Sequence, residues 1–193
     1  MEKTFEQLIP PHNLEYLTIL RFFGCNYPTW LGATTHLSSM KYLQLMHCKS
    51  CVHLPPIGHL PNLKFLKIQG ATAVTKIGPE LVSCATGSNT GSSVAFPKLE
   101  MLVIVDMPNW EEWTFGRSNS CESLESVLNL PRARDLRELG NLEQLWLDVG
   151  MQDISSLWVP ELKQQRQQLH GEDLDIYTYA LDLEVERRMV RWQ

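Results

Sequence analysis

The stretch Leu63-Lys64-Phe65-Leu66-Lys67-Ile68 contains the phrase on which the fold of this chain turns. Its apolar residues stand at the first, fourth and sixth places. The same spacing returns at Leu14, Leu17 and Ile19, at Leu99, Leu102 and Ile104, and at Leu142, Leu145 and Leu147. With Met leading it appears again at Met40, Leu43 and Leu45. One copy cannot bury its own apolar face, so copies have to stack on one another. A stacked array offers extended surfaces, which turns the search for function from catalysis to binding.

Leu17 to Leu43 is 26 residues and Leu43 to Leu66 is 23. Both fit the roughly 20–29 residues of a leucine-rich repeat. Leu66 to Leu102 is 36, an excess of about 12 over a normal repeat. The small, polar run from Ser83 to Ser93 supplies the excess, and a mobile loop is expected over about 83–95. Leu102 to Leu145 is 43, with a degraded copy expected around Leu124, Val127 and Leu128.

The alternating pairs Leu17/Ile19, Leu43/Leu45, Leu66/Ile68, Leu102/Ile104 and Leu145/Leu147 read as short strands. One strand per repeat makes a parallel sheet with an apolar spine on its inner side. Each buried Leu contributes roughly 1.5–3 kcal/mol. After the strands come Tyr27-Pro28-Thr29-Trp30-Leu31, Leu54-Pro55-Pro56-Ile57 and Ile77-Gly78-Pro79. Prolines there disfavour helix and fix an extended return path. Trp30, Leu54, Ile57, Val74 and Ile77 are expected to close the core from behind. The expected fold is therefore an α/β solenoid, a leucine-rich-repeat horseshoe. A short parallel β-sheet would line its concave face, and the convex side would be mostly loop and 3-10 turns. Residues 1–160 would form the solenoid. Residues 161–193 would be a degenerate last repeat, a cap or a partly disordered tail, with an exposed helix over Glu161–Gln168 and a last strand or cap at Leu174, Ile176, Tyr177 and Tyr179. No helical cap is evident before the first repeat, so the chain reads as part of something longer.

The 193 residues suffice for one domain with a sizeable core, and 44% hydrophobic with 20% charged residues is a globular composition. A net charge of -5 leaves no electrostatic footprint for nucleic acid. Arg187, Arg188 and Arg191 read as a solvated tail. No segment approaches the roughly 18 apolar residues of a membrane helix. The acidic N-terminus is not a signal peptide. Five cysteines without framework spacing, and no Asn-x-Ser/Thr sequon, point to a reducing, cytoplasmic setting.

From Ile9 to Phe115 the chain resembles the leucine-rich-repeat region of plant coiled-coil-type nucleotide-binding (NB-LRR) disease-resistance proteins. The carriers are Pro10-Pro11-His12-Asn13-Leu14-Glu15-Tyr16-Leu17-Thr18-Ile19 and Tyr27-Pro28-Thr29-Trp30-Leu31. They continue with Cys48-Lys49-Ser50-Cys51-Val52-His53-Leu54-Pro55-Pro56-Ile57-Gly58 and Leu60-Pro61-Asn62-Leu63-Lys64. Phe96-Pro97-Lys98-Leu99-Glu100 and Asp106-Met107-Pro108-Asn109-Trp110-Glu111-Glu112-Trp113 complete the set. The resemblance implies a defence-response module that recognises a pathogen effector or holds an immune receptor inactive. Its partner would be an effector, a guarded host protein or the nucleotide-binding domain of a parent receptor. No Gly-x-x-x-x-Gly-Lys-Ser/Thr loop is present, so no nucleotide site carries over. The chain would be a truncated product or a repeat-only relative. A leucine-rich-repeat substrate adaptor of a ubiquitin ligase is the alternative, but the first fifteen residues show no ligase-docking helix.

Cys48-x-x-Cys51 with His47 and His53 invites a metal or redox reading. The repeat accounts for it better: Cys48 turns inward at the strand exit to bond backbone, and Cys51 takes the next inward position. Trp110 and Trp113 read as core closers flanking solvated Glu111 and Glu112. No catalytic residue, cofactor or metal is expected. The residues that alternate with the spine point to the open face of the sheet. One column is Tyr16, Tyr42, Phe65, Met101 and Gln144. A second is Thr18, Gln44, Lys67, Val103 and Trp146, and a third is Leu20, Met46, Gln69, Val105 and Asp148. Aromatic and Met enrichment is typical of interfaces. The expected protein-binding residues are Tyr16, Thr18, Tyr42, Gln44, Phe65, Lys67, Met101, Val103 and Trp146.

Overall fold

A computed structural model describes residues 5–33, 35–78, 81, 95–113, 141–148, 159–160, 163–164, 166–168, 171, 173–179 and 189–191. Each apolar phrase leads into a strand of five residues. These are β1 (Tyr16–Leu20), β2 (Tyr42–Met46), β3 (Phe65–Gln69), β5 (Met101–Val105) and β7 (Gln144–Asp148). β8 (Asp175–Tyr179) follows in the same sheet, in the order β1-β2-β3-β5-β7-β8. All six run parallel. β9 (Met189–Arg191) pairs with β8 in the antiparallel sense. The architecture is a repeat solenoid, one strand per turn of chain.

Register follows the phrase. Leu17, Leu43, Leu66, Leu102, Leu145 and Ile176 stand abreast in successive strands, as do Ile19, Leu45, Ile68, Ile104 and Leu147. Leu43, Leu45, Leu66, Ile68, Leu145 and Leu147 are wholly buried. A one-residue slip would turn this whole row to water, which is what holds the register. Behind the sheet the core is closed by Trp30, Leu31, Leu54, Ile57, Val74 and Ile77, all buried. The return path there is short 3-10 structure at Thr29–Gly32, together with a second small sheet of β4 (Lys76–Ile77) and β6 (Glu112–Trp113). Trp110 is buried as expected. The Trp113 side chain lies outside the described residues.

The strand exits repeat as faithfully as the strands. Arg21, His47, Gly70 and Asp106 each follow the last residue of a strand, and all four have positive φ, between 52° and 67°. Three of their N–H groups donate to the last strand carbonyl of the next repeat: Arg21 to Met46 at 2.8 Å, His47 to Gln69 at 2.6 Å and Gly70 to Val105 at 3.1 Å. The left-handed residue swings the chain off the sheet while its N–H stays in the ladder. A non-glycine residue in that region costs roughly 1–2 kcal/mol, and the inter-repeat bond offsets part of it. A second inter-repeat device lies just ahead of the strands. The Asn62 amide donates to Ser38 O at 2.8 Å and the Asn141 amide to Pro97 O, each carbonyl belonging to the repeat before.

Two expectations about the chain's flanks change. Ahead of the first strand, Phe5 and Glu6 are helical. The Phe5 ring lies 4.9 Å from that of Phe22 and 6.0 Å from that of Trp30. The Trp30 indole donates to Phe5 O at 3.2 Å, and Glu6 accepts the Thr29 N–H at 3.0 Å. A short N-terminal turn thus packs against the back of repeat one, where no helical cap was expected. In the C-terminal part, residues 163–164 and 166–168 are helical as the Gln-rich run suggested, but Arg166 is buried, so the segment is not wholly exposed. Of the expected loop 83–95 only Ala95 is described, and it is buried beside Phe96. The expected copy around Leu124, Val127 and Leu128 lies outside the described residues.

Candidate protein-contact face

The parallel register assembles the predicted columns in space. Tyr16, Tyr42, Phe65, Met101 and Gln144 stand abreast, and Asp175 extends the row. Thr18, Gln44, Lys67, Val103 and Trp146 form the next row, extended by Tyr177. All nine predicted residues are exposed or half-buried, and Tyr16 keeps 63% of its surface. The third row departs from expectation at Val105, which is 2% exposed. It stands beside Gln69 in the outward row and is covered there without belonging to the main core cluster, so that row is not open along its length.

The spacing of strands, about 4.8 Å, is close to the stacking distance of aromatic rings. Tyr16 and Tyr42 therefore stack, with centroids 4.4 Å apart and planes 2° from parallel. Phe65 continues the row, tilted at 6.1 Å from Tyr42. At the other end Trp146 and Tyr177 stack at 4.4 Å. Both are oriented by residues of their own strands: the indole donates to Gln144 Oε1 at 3.2 Å, and the phenol donates to Asp175 Oδ2 at 3.3 Å. Charges rim the face where the strands begin. Lys41 pairs with Glu15 at 2.8 Å and Lys64 with Glu100 at 2.5 Å, all four half exposed. The carboxylate hydrogen bond raises both lysines above their usual range. Exposed pairs of this kind stabilise little and act mainly as a fixed charge pattern.

Sequence reasoning missed Asp175 and Tyr177 as members of the face. The apolar phrase is broken in that repeat, with Asp173 and Thr178 standing where the preceding repeat has Leu142 and Leu147. The surviving signal was the alternation of Leu174 and Ile176.

Cys48 and Cys51 are buried, and neither is in a disulfide among the described residues. Cys51 Sγ donates to Gly24 O at 3.1 Å, and Cys48 Sγ lies 3.9 Å from Ile19 O and 3.7 Å from Met46 O. Both face carbonyls of the strand exits. Among the described residues no three His, Cys, Asp or Glu side chains stand together to hold a metal ion. Beside the two thiols lies the Tyr27 hydroxyl, buried and with no well-formed hydrogen bond among the described residues. Burial, and next the Cys48 and Cys51 thiols, push its ionisation far above the usual tyrosine value of 10.0. The unfolded chain gives up this proton near pH 10 and the folded chain does not. The contribution of Tyr27 is therefore intact below that pH and is lost above it, by about 1.4 kcal/mol per pH unit. Tyr27→Phe removes this alkaline loss. Because it also removes a buried hydroxyl that makes no well-formed hydrogen bond, it should leave stability at pH 7 unchanged or raise it by up to about 1 kcal/mol. Urea unfolding of both proteins at pH 7 and pH 11 checks this. Equal alkaline losses in the two would contradict it.

Comparison with known proteins agrees with the repeat geometry. A leucine-rich-repeat family, described as R13L1/DRL21 LRRs, matches residues 1–71. A disease resistance protein of Arabidopsis thaliana is 32% identical over 113 residues, covering 58% of this chain and 8% of that protein. The disease resistance RPP13-like protein 1 of the same plant is 32% identical over 111 residues, 58% of this chain and 10% of its own length. Disease resistance protein RGA4 of Solanum bulbocastanum is 38% identical over 71 residues, 37% of this chain and 7% of its own length. The match thus spans about a tenth or less of each of these relatives. No solved structure matches the chain. Among the described residues no helix is long and apolar enough to cross a membrane. Shared sequence and the in-register ladder of apolar phrases agree: the chain is similar to the leucine-rich-repeat regions of plant disease-resistance proteins, with its first 71 residues matching a leucine-rich-repeat family.

Proposed function

We propose that this chain is a non-catalytic, cytoplasmic protein-interaction module of plant defence. The open sheet would line the concave side of a horseshoe, and its first two columns would make the contact. The partner is a pathogen effector, a guarded host protein or the nucleotide-binding domain of a parent receptor, for recognition or for autoinhibition. One observation carries the reading: Tyr16, Tyr42 and Phe65 stand side by side outside the core, on rigid strands. Preorganised aromatic rows lose little conformational entropy on binding, and aromatic residues dominate contact energies. A module that binds one state of its partner better than another shifts that partner's population, and no chemistry is needed.

Tyr42→Ala with Phe65→Ala tests this. Neither side chain belongs to the buried spine, so circular dichroism and the urea midpoint should stay close to the parent's. If the two act as interface anchors worth about 2 kcal/mol or more each, partner recovery by proximity labelling in leaf tissue should fall at least about tenfold. Unchanged recovery with an intact fold would remove the columns as the site.

A further inference from the structure

Exposed apolar surface gathers on the first repeat, where Tyr16, Leu20 at 57% and Phe23 at 76% stand open to water. Tyr42 and Met46, at the places of Tyr16 and Leu20 in β2, are half-buried, because β2 has a neighbour on each side. β1 ends the sheet and pairs with β2 alone. In β2 the Tyr42 N–H points to β1 and donates to Glu15 O at 2.9 Å. By the same alternation the backbone groups of Tyr16, Thr18 and Leu20 point away from β2, and no strand among the described residues meets them. All three residues are exposed, while the N-terminal turn packs behind the repeat on Phe22 and Trp30. The strand, Tyr-Leu-Thr-Ile-Leu, carries no lysine or proline, which are common protections of a sheet edge.

We infer that the outer edge of β1 pairs, antiparallel, with the same edge of a second copy of this chain, about a two-fold axis at Thr18. The inference goes beyond the contact-face reading, since it concerns the edge of the sheet and not its rows. Residues 15–21 read Glu-Tyr-Leu-Thr-Ile-Leu-Arg, a stretch that complements its own reverse about Thr18. The axis sets Tyr16 opposite Leu20 of the second copy, and Leu20 opposite Tyr16 of the second copy. It also brings Glu15 of each copy to Arg21 of the other. Arg21 is exposed and has no ion pair among the described residues, and Glu15 is half exposed beside Lys41. Moving the axis to Leu17 or Ile19 breaks the Glu15–Arg21 match and sets Thr18 against Tyr16 or Leu20. Tyr16, Thr18 and Leu20 carry the outward backbone groups, so they form the hydrogen-bonded pairs of the new ladder, each exchanging two bonds. The sheet is finished in this sense at its other end, where β9 runs antiparallel to β8. A two-fold contact of like with like closes on itself and uses up the exposed edge. Both open faces then lie on the same side of one continuous sheet. A single strand pair buries less than a standard interface, so the dimer is weak and reversible.

Sedimentation velocity of the whole chain should show a monomer–dimer equilibrium with a Kd of about 10–100 µM. Amide hydrogen exchange at Tyr16, Thr18 and Leu20 should slow as the concentration rises through that range. Thr18→Pro removes the central outward N–H and spares the ladder to β2. It should weaken the dimer at least about tenfold with an unchanged circular dichroism spectrum. Arg21→Glu and Glu15→Lys, both at the surface, should each weaken self-association about fivefold or more. An equimolar mixture of these two variants should regain the parent's affinity, because every Glu again faces a cation across the axis. That recovery demands antiparallel pairing about Thr18, and it reads out whether or not Thr18→Pro folds. A chain that stays monomeric up to about 1 mM, a dimer indifferent to Thr18→Pro with its fold intact, or a mixture that regains nothing would overturn the inference.

Discussion

Leu66→Ala is expected to cost about 3–4 kcal/mol and to split the solenoid's unfolding into two transitions. Leu66 is wholly buried and stands between Leu43 on one side and Leu102 on the other. Truncation leaves a cavity that the neighbouring strands cannot close, because each is pinned by its own ladder of hydrogen bonds. In a repeat array, stability is nearly a sum of repeat and nearest-neighbour contributions. A cavity at β3 therefore weakens two interfaces at once and uncouples β1–β2 from β5–β8. Urea unfolding followed by circular dichroism should show a lower midpoint and a broadened or biphasic curve. A single cooperative transition displaced by less than about 1 kcal/mol would mean that Leu66 is not a central member of the stack.

Gly70→Val is expected to be nearly as damaging for a different reason. Gly70 has a φ of +67°, and a Cβ placed there would come 2.4 Å from His47 Nδ1 and 3.2 Å from Asp106 Oδ2. The left-handed conformation alone costs an L-residue roughly 1–2 kcal/mol, and a β-branched residue more. Displacing the imidazole adds to this, for a total of about 3 kcal/mol. Steric and backbone contributions can be separated with Gly70→Ala and His47→Ala. The double variant should recover about 1 kcal/mol relative to the sum of the singles, since only the steric part is shared. Simple additivity would place the entire cost in the backbone.

These two residues differ in how visible they were beforehand. Leu66 belongs to a phrase repeated along the chain, and its burial follows from spacing alone. The columns Tyr16/Tyr42/Phe65/Met101 and Thr18/Gln44/Lys67/Val103/Trp146 were legible for the same reason, since strand alternation assigns every second residue to the opposite face. Gly70 carried no such signal. Its counterparts at the other strand exits are Arg21, His47 and Asp106, which share no side-chain chemistry. What unites them is a backbone conformation imposed by the need to leave the sheet while donating to the next repeat. Tyr177 was obscure in another way. Its repeat keeps the alternation but loses the leucines, and only pairing with β7 places it against Trp146.

Periodicity in the chain settles which residues face inward and which outward, because burial of the leucine rows tolerates only one phase. It equally settles that strands stack in parallel, since identical units joined by return segments come back in the same direction. The folded arrangement alone settles which outward residues become neighbours. Glu15 finds Lys41 and Lys64 finds Glu100 across 26 and 36 residues of sequence. Tyr16 meets Tyr42, and His47 fills the space that Gly70 leaves. Return segments vary in length from repeat to repeat, so sequence separation carries no fixed distance. The hydrogen-bonded register between strands supplies that distance instead.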